Sequence, residues 1–121
     1  MSRKVLIVED HPEHREYMVR VVRALGFTPL AAAAAEEGLH LARSERPVLI
    51  LMDIVLREDD GRDAARRLKE EAATAAIPII AVTGLAFADR GPASACDGYL
   101  RKPFTPSQLR AKLAEMLPLG E

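Results

Sequence analysis

Acidic residues follow two of the most apolar segments of this chain. Glu9 and Asp10 come directly after the apolar residues 5–8, and Asp53 comes directly after the apolar residues 48–52. Apolar runs this short, bounded by polar residues, are typical of parallel strands that are buried on both faces. Because the carboxyl ends of parallel strands meet at one edge of a sheet, we expect these three carboxylates to lie together.

Carboxylates in such a group repel one another unless a cation accompanies them. Two like charges about 4 Å apart repel by roughly 4 kcal/mol near a protein surface. Oxygen ligands, with no grouping of histidines or cysteines spaced for metal binding, favour Mg²⁺ over Zn²⁺. Glu9, Asp10 and Asp53 therefore predict a magnesium site beside Asp53.

Two further polar residues lie at the ends of predicted strands. Thr83 follows the apolar residues 77–82, and Lys102 lies just past a short strand at residues 98–100. One ammonium group and one divalent cation would balance the three carboxylates, and the hydroxyl adds a hydrogen-bond donor. Either residue alone would be ordinary for a strand end or a surface, so the prediction depends on the whole set.

The elements that must position this set alternate along the chain. The predicted strands are residues 4–8, 27–31, 48–52, 77–82 and 98–100. Helical spacing of apolar residues predicts helices from Pro12 to just before Gly26, over 36–43, over 63–71, and from the Thr105-Pro106 cap to Leu117. Strands that alternate with helices predict an α/β fold in which a parallel sheet has helices on both faces.

The bulk properties exclude several classes of protein. The chain has 121 residues, a formal net charge of −1 and one cysteine, Cys96. The length predicts a single domain, and the net charge argues against a direct nucleic-acid binder, which would usually show a basic face. A lone cysteine fits a reducing compartment, and no apolar stretch approaches the length of a membrane span. We therefore expect a cytoplasmic protein.

The set of Glu9-Asp10, Asp53, Thr83 and Lys102-Pro103 resembles the receiver domain of two-component response regulators. The segments 51–54 and 97–104 strengthen the resemblance, which covers essentially the whole chain. It implies a flavodoxin-like, doubly wound sheet of five parallel strands in the order 2-1-3-4-5. It also implies one receiver domain over residues 1–121, with no output domain.

The resemblance further implies roles for individual residues. Asp53 would accept a phosphoryl group from a histidine kinase or a phosphotransfer protein, and the domain would not be a turnover enzyme. Asp10 and Asp53 would bind Mg²⁺ (or Mn²⁺) directly, with Glu9 acting through water and Val55 through its backbone carbonyl. Thr83 and Lys102 would contact the phosphoryl group. Thr83 and Tyr99 would form the switch that responds to it. The peptide bond between Lys102 and Pro103 would be cis.

The chain departs from the family at two places. Lys102 follows Thr83 by only 19 residues, a separation shorter than is usual in the family by nearly one helical turn, and Gly91-Pro92 lies inside it. We therefore expect the family's fourth helix, which lies between the fourth and fifth strands, to be shortened or irregular, and the protein to be a monomer or a weak dimer. Val55 and Leu85 replace groups that often guide water, which predicts slow loss of the phosphoryl group.

Alternative functions remain at this point. The chain could be the receiver part of a hybrid histidine kinase, or a binding module that keeps the fold and works without phosphorylation. A phosphatase that forms a phosphoaspartate would carry a second aspartate two residues after the first, where Val55 stands. The leading prediction is a phosphoacceptor that signals by contact with a downstream protein.

Overall fold

Five strands and four helices make up the part of the chain that the structure describes. This computed structural model describes residues 3–56, 61–84 and 95–117. The strands are β1 (Lys4–Val8), β2 (Thr28–Ala32), β3 (Leu49–Asp53), β4 (Ile79–Thr83) and β5 (Gly98–Arg101). The helices are α1 (Pro12–Ala24), α2 (Ala35–Glu45), α3 (Gly61–Glu70) and α4 (Pro106–Met116).

The strands form one parallel sheet in the order β2-β1-β3-β4-β5. Val8 pairs with Ala32 on one side and with Met52 on the other, so β1 and β3 lie side by side in the centre. Asp53 pairs with Val82, and Thr83 pairs with Arg101. The predicted doubly wound fold with strand order 2-1-3-4-5 is confirmed.

Side chains that alternate along the central strands fill two separate cores. On one face they pack against α2 and α3, and the main residues are Leu6, Val8, Ile50, Met52, Leu39 and Leu68. On the other face they pack against α1 and α4, and the main residues are Val5, Ile7, Leu49, Leu51, Met18, Val22, Leu109 and Leu113. Each fully buried large side chain stabilises the fold by about 2 kcal/mol. Because both faces of the central strands are covered, their apolar runs are continuous.

The helix ends follow the local signals in the sequence. Pro12 and Pro106 each occupy the first turn of a helix, where a missing N–H donor costs nothing. Thr105 and Gln108 form a reciprocal capping box at the start of α4. Gly26 ends the turn after α1 with a φ of 98°, a conformation that other residues rarely adopt.

Two strand boundaries differ from the sequence prediction in a way that matters for the site. At their carboxyl ends, β3 and β4 each continue one residue beyond the predicted strand, so Asp53 and Thr83 are the last residues of their strands. Ile77 is not part of β4, because Pro78 cannot donate to the ladder and the strand begins at Ile79. The polar residues are therefore held by sheet hydrogen bonds and not by loops.

The helix predicted to be shortened or irregular lies between β4 and β5 and is not α4. It cannot be compared with the structure, because residues 85–94 lie outside the described residues. Among residues 3–56, 61–84 and 95–117, no helix has the length and apolar character needed to cross a membrane.

Candidate functional site

The carboxyl ends of β1, β3, β4 and β5 border an open cleft of about 850 Å³. Its described lining residues are Glu9, Asp10, His11, His14, Tyr17, Met18, Asp53, Val55, Thr83, Gly84, Lys102, Pro103 and Phe104. All the predicted site residues except Tyr99 line this cleft.

Three carboxylates meet at the bottom of the cleft. Glu9, Asp10 and Asp53 each offer one oxygen atom, and these atoms lie within 4.8 Å of one another. Glu9 is 1% exposed and Asp53 is 4% exposed, whereas Asp10 is half-buried. The Glu9 N–H donates to the Ala32 carbonyl at 3.0 Å, so the main chain of Glu9 is held against the neighbouring strand β2. Three hard oxygen donors at this spacing suit a Mg²⁺ ion.

Lys102 brings a positive charge to the same place. Its Nζ lies 2.5 Å from Glu9 Oε1 and 3.4 Å from Asp53 Oδ2. The Lys102 N–H donates to the Thr83 carbonyl at 2.9 Å, which fixes the lysine at the end of β4. The peptide bond between Lys102 and Pro103 is cis. A single ammonium compensates only part of the charge of the three carboxylates.

Asp53 shows the consequence of this incomplete compensation. Burial raises the pKa of its carboxyl from 3.8 to about 7, and the hydrogen bond and charge of Glu9 act in the same direction. The Lys102 charge and the Val55 N–H, which donates to Asp53 Oδ1 at 3.0 Å, lower the pKa. Without a further cation, the Asp53 carboxyl is therefore partly ionised and partly protonated near neutral pH.

Thr83 and Val55 flank the carboxylates. Thr83 is 1% exposed at the end of β4, and the exposed Gly84 follows it at the wall of the cleft. Val55 is 55% exposed, so an apolar side chain stands at the mouth of the cleft beside Asp53. The cleft thus has a hydroxyl on one side and an apolar group on another.

Tyr99 lies apart from the cleft. It pairs with Ala81 in the sheet and is 40% exposed. Together with Arg101, Gln108 and Lys112 it lines a groove between β5 and α4. The structure therefore brings Thr83 to the cleft and Tyr99 to the neighbouring helix face.

Helix α1 supplies contacts that the sequence reasoning missed. Although His11 and His14 are both exposed, His14 Nδ1 lies 3.1 Å from Lys102 Nζ, and the His11 ring stacks on His14 at 4.1 Å. The Arg15 guanidinium donates to the backbone carbonyl of Glu9 at 3.0 Å. The available signal was position, because these residues occupy the start of the helix that follows Glu9-Asp10.

Gly61 was also missed. Its N–H donates to the Ile54 carbonyl at 3.0 Å, so the first turn of α3 lies directly on the chain that follows Asp53. A Cβ at this position would overlap the Asp53 carbonyl oxygen and would lie 2.9 Å from the Ile54 Cα. No residue other than glycine fits at this position without a backbone shift.

A family model described as the response regulator receiver domain matches residues 5–114. This chain belongs to the response regulator receiver family.

Similar receiver proteins occur in different settings. The polar-differentiation response regulator DivK of Brucella ovis is 34% identical over 108 residues, which are 87% of this chain and 88% of DivK. The phosphate regulon transcriptional regulatory protein PhoB of Klebsiella pneumoniae is 32% identical over 97% of this chain, but this chain spans only 52% of PhoB. The family resemblance therefore concerns the receiver domain itself.

A solved receiver structure is similar in both fold and sequence. The receiver domain of sensor histidine kinase PA1611 from Pseudomonas aeruginosa, with a magnesium ion coordinated in its active site cleft, matches with a TM-score of 0.87. The two chains are 28% identical, and the match covers 96% of this receiver and 98% of the other. Receiver domains are signalling domains of two-component systems and not turnover enzymes.

Proposed function

We propose that this receiver accepts a phosphoryl group on Asp53 from a phosphohistidine of a histidine kinase or phosphotransfer protein. In this proposal the modified domain signals by contact with a downstream protein. The observation that carries the proposal is the meeting of Glu9, Asp10, Asp53 and the Lys102 ammonium at the bottom of one open cleft.

The acidic residues fit a magnesium ion. The proposed ligands are Glu9 through water, Asp10, Asp53 and the Val55 backbone carbonyl, and Mn²⁺ would suit the same oxygen donors. The raised pKa of Asp53 supports this, since it reflects like charges that Lys102 alone does not compensate. The similar PA1611 receiver holds magnesium in its cleft. When bound, the ion would neutralise negative charge on the carboxylates and on the incoming phosphoryl oxygens.

The transfer step needs a nucleophile and charge stabilisation. An ionised Asp53 oxygen attacks phosphorus, the P–N bond of the phosphohistidine breaks, and its electron pair stays on the departing imidazole. Lys102 offers its ammonium to one phosphoryl oxygen, and the Thr83 hydroxyl donates to another. The exposed Gly84 leaves room for a large donor to approach.

The proposed readout is a movement that couples the cleft to the groove beside α4. A phosphoaspartate carries additional negative charge and strong hydrogen-bond acceptors, which would draw Thr83 towards Asp53. Tyr99 would then rotate towards the vacated space and change the groove that it shares with Arg101 and Lys112. A downstream protein would recognise this changed surface.

The same chemistry fits a receiver that is part of a longer signalling protein. The PA1611 receiver belongs to a sensor histidine kinase, so a hybrid-kinase setting is the second candidate. In both settings Asp53 has the same proposed role. A binding module that works without phosphorylation is the competing function, and it predicts no modification of Asp53.

Labelling with acetyl phosphate and Mg²⁺ tests the proposal. We expect the intact mass of the wild-type protein to increase by one phosphoryl group, whereas Asp53→Asn should gain none. Asp63→Asn is the matched control, because Asp63 is an exposed acid on α3 that pairs with Arg66 outside the cleft. Equal labelling of wild type and Asp53→Asn, or no labelling of either, would contradict the proposal.

A further inference from the structure

The Lys102 ammonium has a full set of hydrogen-bond acceptors. It carries three N–H donors. The acceptors within reach are Glu9 Oε1 at 2.5 Å, Asp53 Oδ2 at 3.4 Å and His14 Nδ1 at 3.1 Å. Two of these acceptors are carboxyl oxygens at the bottom of the cleft, and the third is a ring nitrogen on α1.

A hydrogen bond between Lys102 and His14 has only one possible direction. An ammonium group has no acceptor atom, so Lys102 Nζ donates and Nδ1 of His14 accepts. The ring is also held on one face, because His11 stacks on it with a centroid distance of 4.1 Å and an interplanar angle of 18°. His14 therefore offers Lys102 an oriented ring nitrogen as an acceptor.

The three contacts differ in what happens to them during phosphoryl transfer. Glu9 and Asp53 belong to the acidic cluster, so a bound cation and the phosphoryl group compete with Lys102 for their oxygen atoms. His14 lies outside that cluster and brings no negative charge. Its contact can persist while the ammonium turns from the carboxylates to the phosphoryl oxygens.

We propose that His14 is a positioning residue for the reaction: through Nδ1 it holds the Lys102 ammonium at the mouth of the acidic cluster. The inference rests on the proposed phosphoacceptor function. His14 does not touch the reacting atoms, and it acts by limiting where Lys102 can go once the carboxylates are occupied. A lysine without this contact would sample more orientations, and fewer of them would meet the phosphoryl group.

Three variants test this inference in the full chain with acetyl phosphate as the donor. We expect His14→Ala to lower the maximum labelling rate roughly fivefold, as the loss of one hydrogen bond to a charged group at an exposed site would do. The half-saturating acetyl phosphate and Mg²⁺ concentrations should change less than the rate. His14→Asn should restore most of the rate, because its amide oxygen can accept in place of Nδ1. His40→Ala, an exposed histidine on α2, is the control and should match wild type.

A spectroscopic measurement separates positioning from a general effect on the fold. The ¹⁵N signals of His14 in the metal-free protein should show a bare Nδ1 and a protonated Nε2, and Lys102→Met should shift the Nδ1 signal. A proton on Nδ1, or a labelling rate in His14→Ala equal to wild type, would overturn this inference alone. An unlabelled wild type would overturn the proposed function together with this inference.

Discussion

At the scale of single residues, the neighbours of Asp53 have opposing effects on its pKa. Its side chain is almost completely buried beside Glu9, which favours the protonated form, yet the Val55 N–H and Lys102 favour the ionised form. The balance puts its pKa at about 7. A carboxyl in this state is ready to ionise when a cation arrives, and the proposed phosphoacceptor role needs that change.

The raised pKa predicts an unusual dependence of stability on pH. The carboxyl is favoured in its protonated form only in the folded state, so this stabilisation is present at low pH and is lost as the pH rises through about 7. For the metal-free protein we expect the free energy of unfolding to fall by about 1 kcal/mol from about pH 6 to about pH 8. The melting temperature should fall by about 4 °C. Thermal unfolding in the presence of a chelator measures this.

Two comparisons isolate the contribution of Asp53. Asp53→Asn should remove the loss of stability between these pH values, whereas Asp63→Asn should retain it. Saturating Mg²⁺ should also remove the loss in wild type, because the ion compensates the ionised form. Parallel pH profiles for wild type and Asp53→Asn would show that the pKa of Asp53 is not raised.

Val55 leads to a prediction about the lifetime of the modification. Its exposed apolar side chain stands at the mouth of the cleft and offers no group that could orient an attacking water. We expect the phosphoaspartate to survive for minutes or longer in Mg²⁺ buffer. Val55→Asn should shorten this lifetime several-fold because an amide can orient water. Val55→Ala, which removes bulk without adding a polar group, is the control, and a wild-type half-life of seconds would contradict the prediction.

The sequence could predict the identities of the cleft residues but not all their contacts. Glu9, Asp10 and Asp53 follow apolar runs, so the pattern places them at the same edge of a parallel sheet, and the strand order implied by the family resemblance makes them neighbours. The interaction of His14 with Lys102 depends on where helix α1 places His14 relative to the chain that follows β5. That placement is set by side-chain packing in the core between the sheet and the helices α1 and α4, and no spacing in the sequence records it.

At the scale of elements, the strand ends carry the site and the helix starts constrain it. Both β3 and β4 continue through their polar residues, so ladder hydrogen bonds fix the main chain of Asp53 and Thr83. The first turn of α3 then closes on the chain after Asp53 through Gly61. The sequence indicated the strands from their apolar composition, but it gave no sign of this close approach, which depends on how α3 packs on the sheet.

Gly61→Ala tests this close approach. The new Cβ would overlap the Asp53 carbonyl, and the backbone that carries Asp53 and Ile54 would have to move. We expect a loss of about 1–3 kcal/mol in the free energy of unfolding, as overpacking typically produces, and weaker Mg²⁺ binding. Chemical denaturation and a magnesium titration measure the two effects.

Gly84→Ala is the matched control for that prediction. Among the described residues, nothing lies within 4 Å of a Cβ at Gly84, so this variant should be about as stable as wild type. Equal stability and equal Mg²⁺ affinity in Gly61→Ala would show that the start of α3 does not support the cleft.

At the scale of the whole molecule, alternating elements indicate a parallel sheet with covered faces, but they do not determine the order of the strands. Several orders satisfy right-handed crossovers. The order 2-1-3-4-5 came from the family resemblance, and the structure has it. This order places β1 beside β3 and β3 beside β4, and it thereby brings Glu9, Asp53 and Thr83 to one cleft. The altered length between Thr83 and Lys102 concerns residues 85–94, which the described structure does not include.

The position of the phosphoryl group after labelling is the most direct test of this account. Wild-type protein would be treated with acetyl phosphate, with Mg²⁺ or with a chelator, and the modified residue would be located by peptide mass spectrometry. We predict that one phosphoryl group appears on Asp53 and that it appears only with the divalent ion. A phosphoryl group on any other residue, or equal labelling of Asp53 in the chelator, would contradict the central claim.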